Sequence, residues 1–230
     1  AASDVYKRQK VNRLLWQLSI PAILGMLSSA IFNIVDRIYV GKISSYALTA
    51  VGITMPIQIL QMAFILLVGV GSSSLISIKL GEEKKEEAEA ILYLAFKSII
   101  VFLIVFAGLF MIFLDPILDL LAISKEVYPY AKEYIVVIIV GSIIGIPGYC
   151  LNNSLRSIGQ AKTSMNIIVV TSILNIILDP IFIFVFKLGI AGAAIATVIS
   201  QATLTIYVVY VFMKRKDFMI HLRKCKVNHE

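Results

Sequence analysis

Apolar residues along this chain fall into long, nearly unbroken runs separated by short polar or charged clusters. Six runs extend approximately over Leu14–Val35, Val51–Ile78, Ile91–Leu114, Tyr134–Leu151, Thr163–Phe186 and Leu188–Met213. A hydrocarbon core of roughly 30 Å is crossed by about 20 helical residues, so each run is long enough for one crossing and several are long enough to tilt. The runs lack the polar/apolar alternation of barrel strands, and in lipid the remaining way to satisfy the backbone is the helix. The pattern therefore predicts an all-α membrane protein with six transmembrane helices. The first run is too long and too interrupted by Pro21 for a secretory signal core, and no small-residue cleavage site follows it, so it reads as a retained span.

Composition strengthens that reading. Of 230 residues, 59% are hydrophobic and only 15% charged, with a mean hydropathy of +0.91, outside the range of a soluble domain. Three segments follow: residues 1–13 as an N-terminal cytoplasmic segment, 14–213 as the six-helix bundle, and 214–230 as a basic tail. The chain does not begin with Met, and its first nine residues, AASDVYKRQ, read as a processed end, a non-native remnant or the edge of a fragment, and carry no part of the fold reading.

The net charge of +7 is distributed unevenly. Lys and Arg collect before the first span, around the second connection from Lys79 to Lys97, at Arg156 and Lys162, and in the tail, which together hold 16 of the 21. The opposite side carries only Arg37, Lys42, Lys125, Lys132 and Lys187. Cytoplasmic connections carry the basic excess, so both termini are expected in the cytoplasm. The basic tail then sets topology and meets anionic lipid, and nucleic acid is not an expected partner.

Common catalytic signatures are missing. Cys150 and Cys225 make no disulfide framework or metal pair, both His residues lie in the tail, and no HExxH, GxSxG or GxxxxGK[ST] occurs. GVGSSS at 69–74 lies inside an apolar run, where small residues let helices pack closely. GEEKKEEAEA from Gly81 reads as a solvated charged turn. No enzyme activity is expected, because no nucleophile is paired with a base in the spans.

What remains is a short set of polar groups within the spans. Asn175 and Asp179 stand four apart on the fifth span and share one face, and Pro180 removes the backbone donor that would satisfy the carbonyl of Ile176. The resulting oxygen donors suit a hard cation or a proton relay. Asp179 lies eight residues before the turn at Lys187 and Thr197 ten after it, which places the two at similar depth at about 1.5 Å per residue. Asp36 and Tyr134 lie on the same outer side, so all five groups converge if the helices pack together. Each has a plainer reading: Asp36 beside Arg37 as an interfacial helix end, Asn175 as interhelical glue, Thr197 and Tyr134 as packing or belt residues. Asp179 resists one, because a carboxylate buried that far inside a span costs several kcal/mol unless paired, protonated or hydrated.

Taken in order, SIPAILGML, FNIVDRIYVG, LRSIGQAKTSMNIIVV, NIILDPIFIF and GIAGAAIATVISQ resemble the N-terminal half of a multidrug and toxic compound extrusion (MATE) transporter, over nearly the whole chain after about residue 13. The resemblance implies an antiporter of amphipathic or cationic drugs, driven by Na+ or H+, in the plasma membrane, in bacteria the inner membrane. It implies two six-helix lobes around a central cavity, with no cofactor beyond the coupling ion. Asp36, Asn175, Asp179 and Thr197 match the family's cation-binding positions, and would be the sodium ligands if sodium couples, with Tyr134 assisting. Pro21 matches the proline at which the first helix bends, and Pro180 adds a second flexible point. Arg37 departs from the small or Thr residue usual after that Asp. Six spans with no internal repeat imply one lobe, with 214–230 as the inter-lobe linker and the second lobe absent from this chain. A lipid-linked oligosaccharide flippase of the same superfamily and a non-transporting structural subunit are the alternatives. The first would need a strongly basic cavity, and the spans contain almost no Lys or Arg.

Overall fold

The computed structural model describes residues 11–214 together with Ile220 and Leu222. Expectations for residues 1–10 and for most of the tail fall outside the described residues. The described chain is helical throughout: α1 (Val11–Ile43), α2 (Ser45–Gly81), α3 (Lys85–Ile112), α4 (Leu114–Leu120), α5 (Tyr128–Gly145), α6 (Pro147–Ser157), α7 (Ala161–Pro180), a π-helical turn over Ile181–Val185, and α8 (Gly189–Lys214). Among the described residues six helices are long and apolar enough to cross a membrane, as expected.

Side-chain distribution explains why these are membrane helices. In α3, Ala88, Leu92, Ala95, Ile99, Leu103, Ala107 and Phe110 recur every three or four residues and are buried. Leu94, Val101, Ile104, Leu109 and Ile112 on the other side are exposed and equally apolar. A helix greasy on both faces has protein on one and lipid on the other.

Boundaries differ from the sequence pattern where polar residues continue a helix. Helix α2 starts at Ser45, whose predecessor Ser44 caps it by accepting from the Ala47 amide at 3.0 Å. Helix α3 starts at Lys85, so Lys97 lies within a helix and not in the connection. The fourth run is two helices: α5 begins at Tyr128, six residues before Tyr134, and ends at Gly145, and Pro147 starts α6. Proline cannot donate to the preceding turn but fits the first helical position, so it ends one helix and opens the next. Helix α4 is short and was absent from the expectation.

Helices α5 and α6 lie against α8 along a seam of glycines. A Cβ on Gly145 would stand 2.8 Å from the Gln201 Cβ, one on Gly148 would stand 2.5 Å from the Thr205 Cα, and one on Gly141 would overlap Val198. Across the seam the Thr205 hydroxyl donates to the Gly145 carbonyl at 2.7 Å and accepts from the Gly148 amide at 3.0 Å. Such pairing satisfies groups freed at the α5–α6 break. Beside the seam Gln61 of α2 donates to Ser142 of α5 at 2.7 Å.

Candidate functional site

Helix α7 reaches Asp179 and Pro180 and then widens. After Pro180 the hydrogen bonds lengthen in sequence: Phe186 N–H donates to the Ile181 carbonyl at 2.9 Å and Leu188 N–H to the Phe182 carbonyl at 3.1 Å. The early backbone of α8 presses on this turn, since a Cβ on Gly192 would stand 2.7 Å from the Phe182 carbonyl carbon and oxygen. Proline at a widened turn beside a functional residue is a familiar use of π geometry. The turn brings α8 back alongside α7, as the depth argument requires.

Of the five residues expected to converge, Asn175, Asp179 and Thr197 meet directly, and Asp36 and Tyr134 line one cavity beside them. Asn175 and Asp179 are buried on one face of α7, at 2% and 0% exposure. The Asn175 Nδ2 is 3.4 Å from Asp179 Oδ1 and 3.4 Å from the Thr197 hydroxyl on α8. Asp36, near the end of α1, is buried and close enough to Asp179 for their charges to interact. Tyr134 of α5 is buried within the field of both carboxylates, with Gln58 of α2 as its hydrogen-bond partner. Pro21 is buried inside α1, fifteen residues before Asp36, or about 22 Å along the axis. It is therefore remote from the cluster and could act only by bending α1.

The unusual feature is which atoms lack partners. Asp36 Oδ1, Asn175 Oδ1 and Asp179 Oδ2 are all buried without a hydrogen-bond donor. A buried acceptor left unpaired costs about 1–3 kcal/mol, and more when charged. Three such oxygens from one cluster form a set that a hard cation or protons would satisfy. Among the described residues no group of three or more His, Cys, Asp and Glu could hold a metal ion, so the donors are oxygens from two carboxylates, an amide and a hydroxyl. That chemistry suits Na+ or H+ and disfavours a transition metal.

Two cavities flank the cluster. A cavity of about 250 Å³ is bordered by Asp36, Arg37, Met55, Gln58 and Tyr134. A cavity of about 20 Å³, close to one water, is bordered by Asn175, Thr197 and Ser200. Gln201, one turn beyond Thr197 on α8, lines both. Gln58 and Gln201 were missed in the sequence. Gln58 shares its apolar run with Gln61 and Gln201 is a lone amide in its own, a signal that was present but weaker than a carboxylate.

An all-helical bundle with six candidate membrane spans that buries two carboxylates toward the ends of their helices is an architecture of membrane transporters. The chain belongs to the MatE family, whose model matches residues 21–181. It is 28% identical over 213 residues to the multidrug export protein MepA of Staphylococcus haemolyticus, covering 92% of this chain and 47% of that protein. Among solved structures it resembles an outward-facing multidrug resistance MATE transporter of the MOP superfamily at 29% identity, with a TM-score of 0.86 over 91% of this chain and 46% of that one. It is also similar to a MATE crystallised in complex with MaD5, at 28% identity and a TM-score of 0.87 over 93% and 49% of the two chains. The chain thus spans about half the length of the curated relatives it matches.

Proposed function

We propose that the protein carrying this chain exports amphipathic, cationic small molecules in exchange for Na+ or H+, and that this chain holds the cation site. Asp36 and Asp179 bind the coupling ion, Asn175 and Thr197 complete its oxygen shell, and Tyr134 positions Asp36. The observation that carries the reading is the trio of unpartnered buried oxygens on Asp36, Asn175 and Asp179. The charged side chains buried among the described residues, Asp36, Glu89 and Asp179, are all acidic, which favours cationic cargo over the anionic headgroup of a lipid-linked sugar.

In this reading the chain is the N-terminal lobe, with both ends cytoplasmic in a plasma membrane and residues 214–230 leading to a second lobe. Cation and drug compete by way of α1, which bends at Pro21, while Pro180 lets the end of α7 adjust. The test is isothermal titration of Na+ into the purified protein at two pH values, wild type against Asp179→Asn. Saturable binding abolished by the substitution is the expected result for sodium coupling. Absence of Na+ binding in both proteins removes sodium, and proton coupling is then tested by drug-induced proton release. If neither cation responds to Asp179→Asn, the proposal fails.

A further inference from the structure

Arg37 is the one feature of the larger cavity that a site for simple cations does not explain. It is exposed to that cavity from α1, next to Asp36, and its guanidinium is turned toward α2, with Nη2 3.7 Å from the Met55 sulfur. The same wall offers the amide of Gln58 and the thioether of Met62. Met side chains adapt to varied apolar shapes, so this wall suits a flat or irregular hydrophobic body. The cavity volume, about 250 Å³, is near the lower end for a drug-sized ligand, as fits a space open on one side.

We propose that Arg37 is a specificity-determining residue that binds the carboxylate of a zwitterionic amphiphile, whose cationic end is held by the acidic side of the same cavity. The inference rests on the exporter reading above and names its substrate class more narrowly. A guanidinium presents a planar fork matched to a carboxylate, and pairs with it more strongly than neutral donors do. Asp36 and Arg37 are adjacent on a helix, so they point to different parts of one cavity and present opposite charges to one molecule. A molecule carrying only negative charge would meet Asp36 and Asp179 without compensation, and one carrying only positive charge would leave Arg37 unanswered. A zwitterion satisfies both.

The test uses the full-length protein in proteoliposomes under a cation gradient, with three dyes on one aromatic scaffold: cationic, zwitterionic with an added carboxylate, and anionic. Wild type is expected to export the cationic and zwitterionic dyes. Arg37→Thr is expected to lose zwitterion export about tenfold or more while cationic export stays within about twofold, and Arg37→Lys to retain part of it. Equal loss of both dyes would make Arg37 structural, and no loss of the zwitterion would make it an outer headgroup contact. Either outcome overturns the proposal. Cationic export without zwitterion export by wild type also overturns it while leaving the exporter reading intact, whereas export of neither dye overturns both.

Discussion

Substituting Gly148 tests the glycine seam that holds α8 in register with the site. A Cβ at this position would lie 2.5 Å from the Thr205 Cα, 2.6 Å from its hydroxyl and 2.7 Å from Leu204 Cδ2. Ordinary carbon contacts lie at about 3.5–4.0 Å, so α6 and α8 must separate by roughly 1 Å. Backbone is the obstacle, and no rotamer change relieves it. Overpacking of this kind costs about 1–3 kcal/mol, and the separation stretches the two Thr205 hydrogen bonds, each about 1 kcal/mol. Against this, Gly to Ala inside a helix gains about 1 kcal/mol. The net is about 2 kcal/mol, or roughly 4–8 °C in Tm for a chain of this size. Gly108→Ala and Gly52→Ala are the controls, because a Cβ at either meets nothing within 4 Å. The assay is thermal unfolding of the detergent-solubilised protein, followed by tryptophan fluorescence or by loss of monodispersity. Gly148→Ala melting with the controls would refute the reasoning, as would an unchanged melt for Thr205→Val, which removes both hydrogen bonds at constant volume.

Two further predictions concern the turn beside Asp179 and the outer surface. Gly192→Ala would push α8 off the Phe182 carbonyl and so shift Thr197 from Asn175, and cation affinity measured by titration should fall about tenfold or more, whereas Gly108→Ala, with open space around its Cβ and ordinary helical backbone, should leave the site's packing alone. Asp115, outside the six spans, accepts from Lys132 at 2.7 Å and from Tyr128 at 2.6 Å, and these bonds hold its carboxyl below the ordinary value of 3.8. A lowered folded value means the contribution is fully present above the unfolded value of 3.8 and lost as pH falls through the lower, folded value. The Tm difference between wild type and Asp115→Asn should therefore be small but measurable at pH 7, begin to shrink as pH falls toward 3.8, and vanish only below the lowered folded value.

Much of this was legible in the sequence because membranes impose one rule at every position. A long apolar run must be a helix, and a carboxylate inside one must have a purpose, so the six spans and Asp179 stood out. The convergence with Thr197 followed from counting residues on both sides of the Lys187 turn, and the 3.4 Å approach of Asn175 to the Thr197 hydroxyl agrees. Three things were hidden. The break at Ile146–Pro147 was masked because both flanks are apolar. The roles of Gln58 and Gln201 depend on which way a helix is rotated, which a uniformly greasy helix does not encode. The glycine seam reads in the sequence only as scattered small residues, and becomes specific once Thr205 is seen to bridge Gly145 and Gly148.

The two carboxylates sit on helices held very differently. In the apolar stretch of α1, only 11% of residues are buried, against 39% in those of α7 and α8. Asp179 belongs to the tightly held pair, fixed from one side by the π turn against Gly192 and from the other by Asn175 and Thr197. Asp36 belongs to the helix with the smaller buried share, which packs chiefly against α7 and also carries Pro21. In the proposed cycle a cation between them ties α1 to α7, and its release leaves two buried carboxylates whose charges repel. Repulsion then acts across the α1–α7 contact, and α1, with the smaller buried share, should be the one that shifts. Spin labels on exposed α1 and α8 positions such as Ile34 and Ile206 would report this, since their separation should change on cation binding in wild type and stay constant in Asp179→Asn. A change that persists in the variant would mean that α1 moves for reasons unconnected with the carboxylate pair.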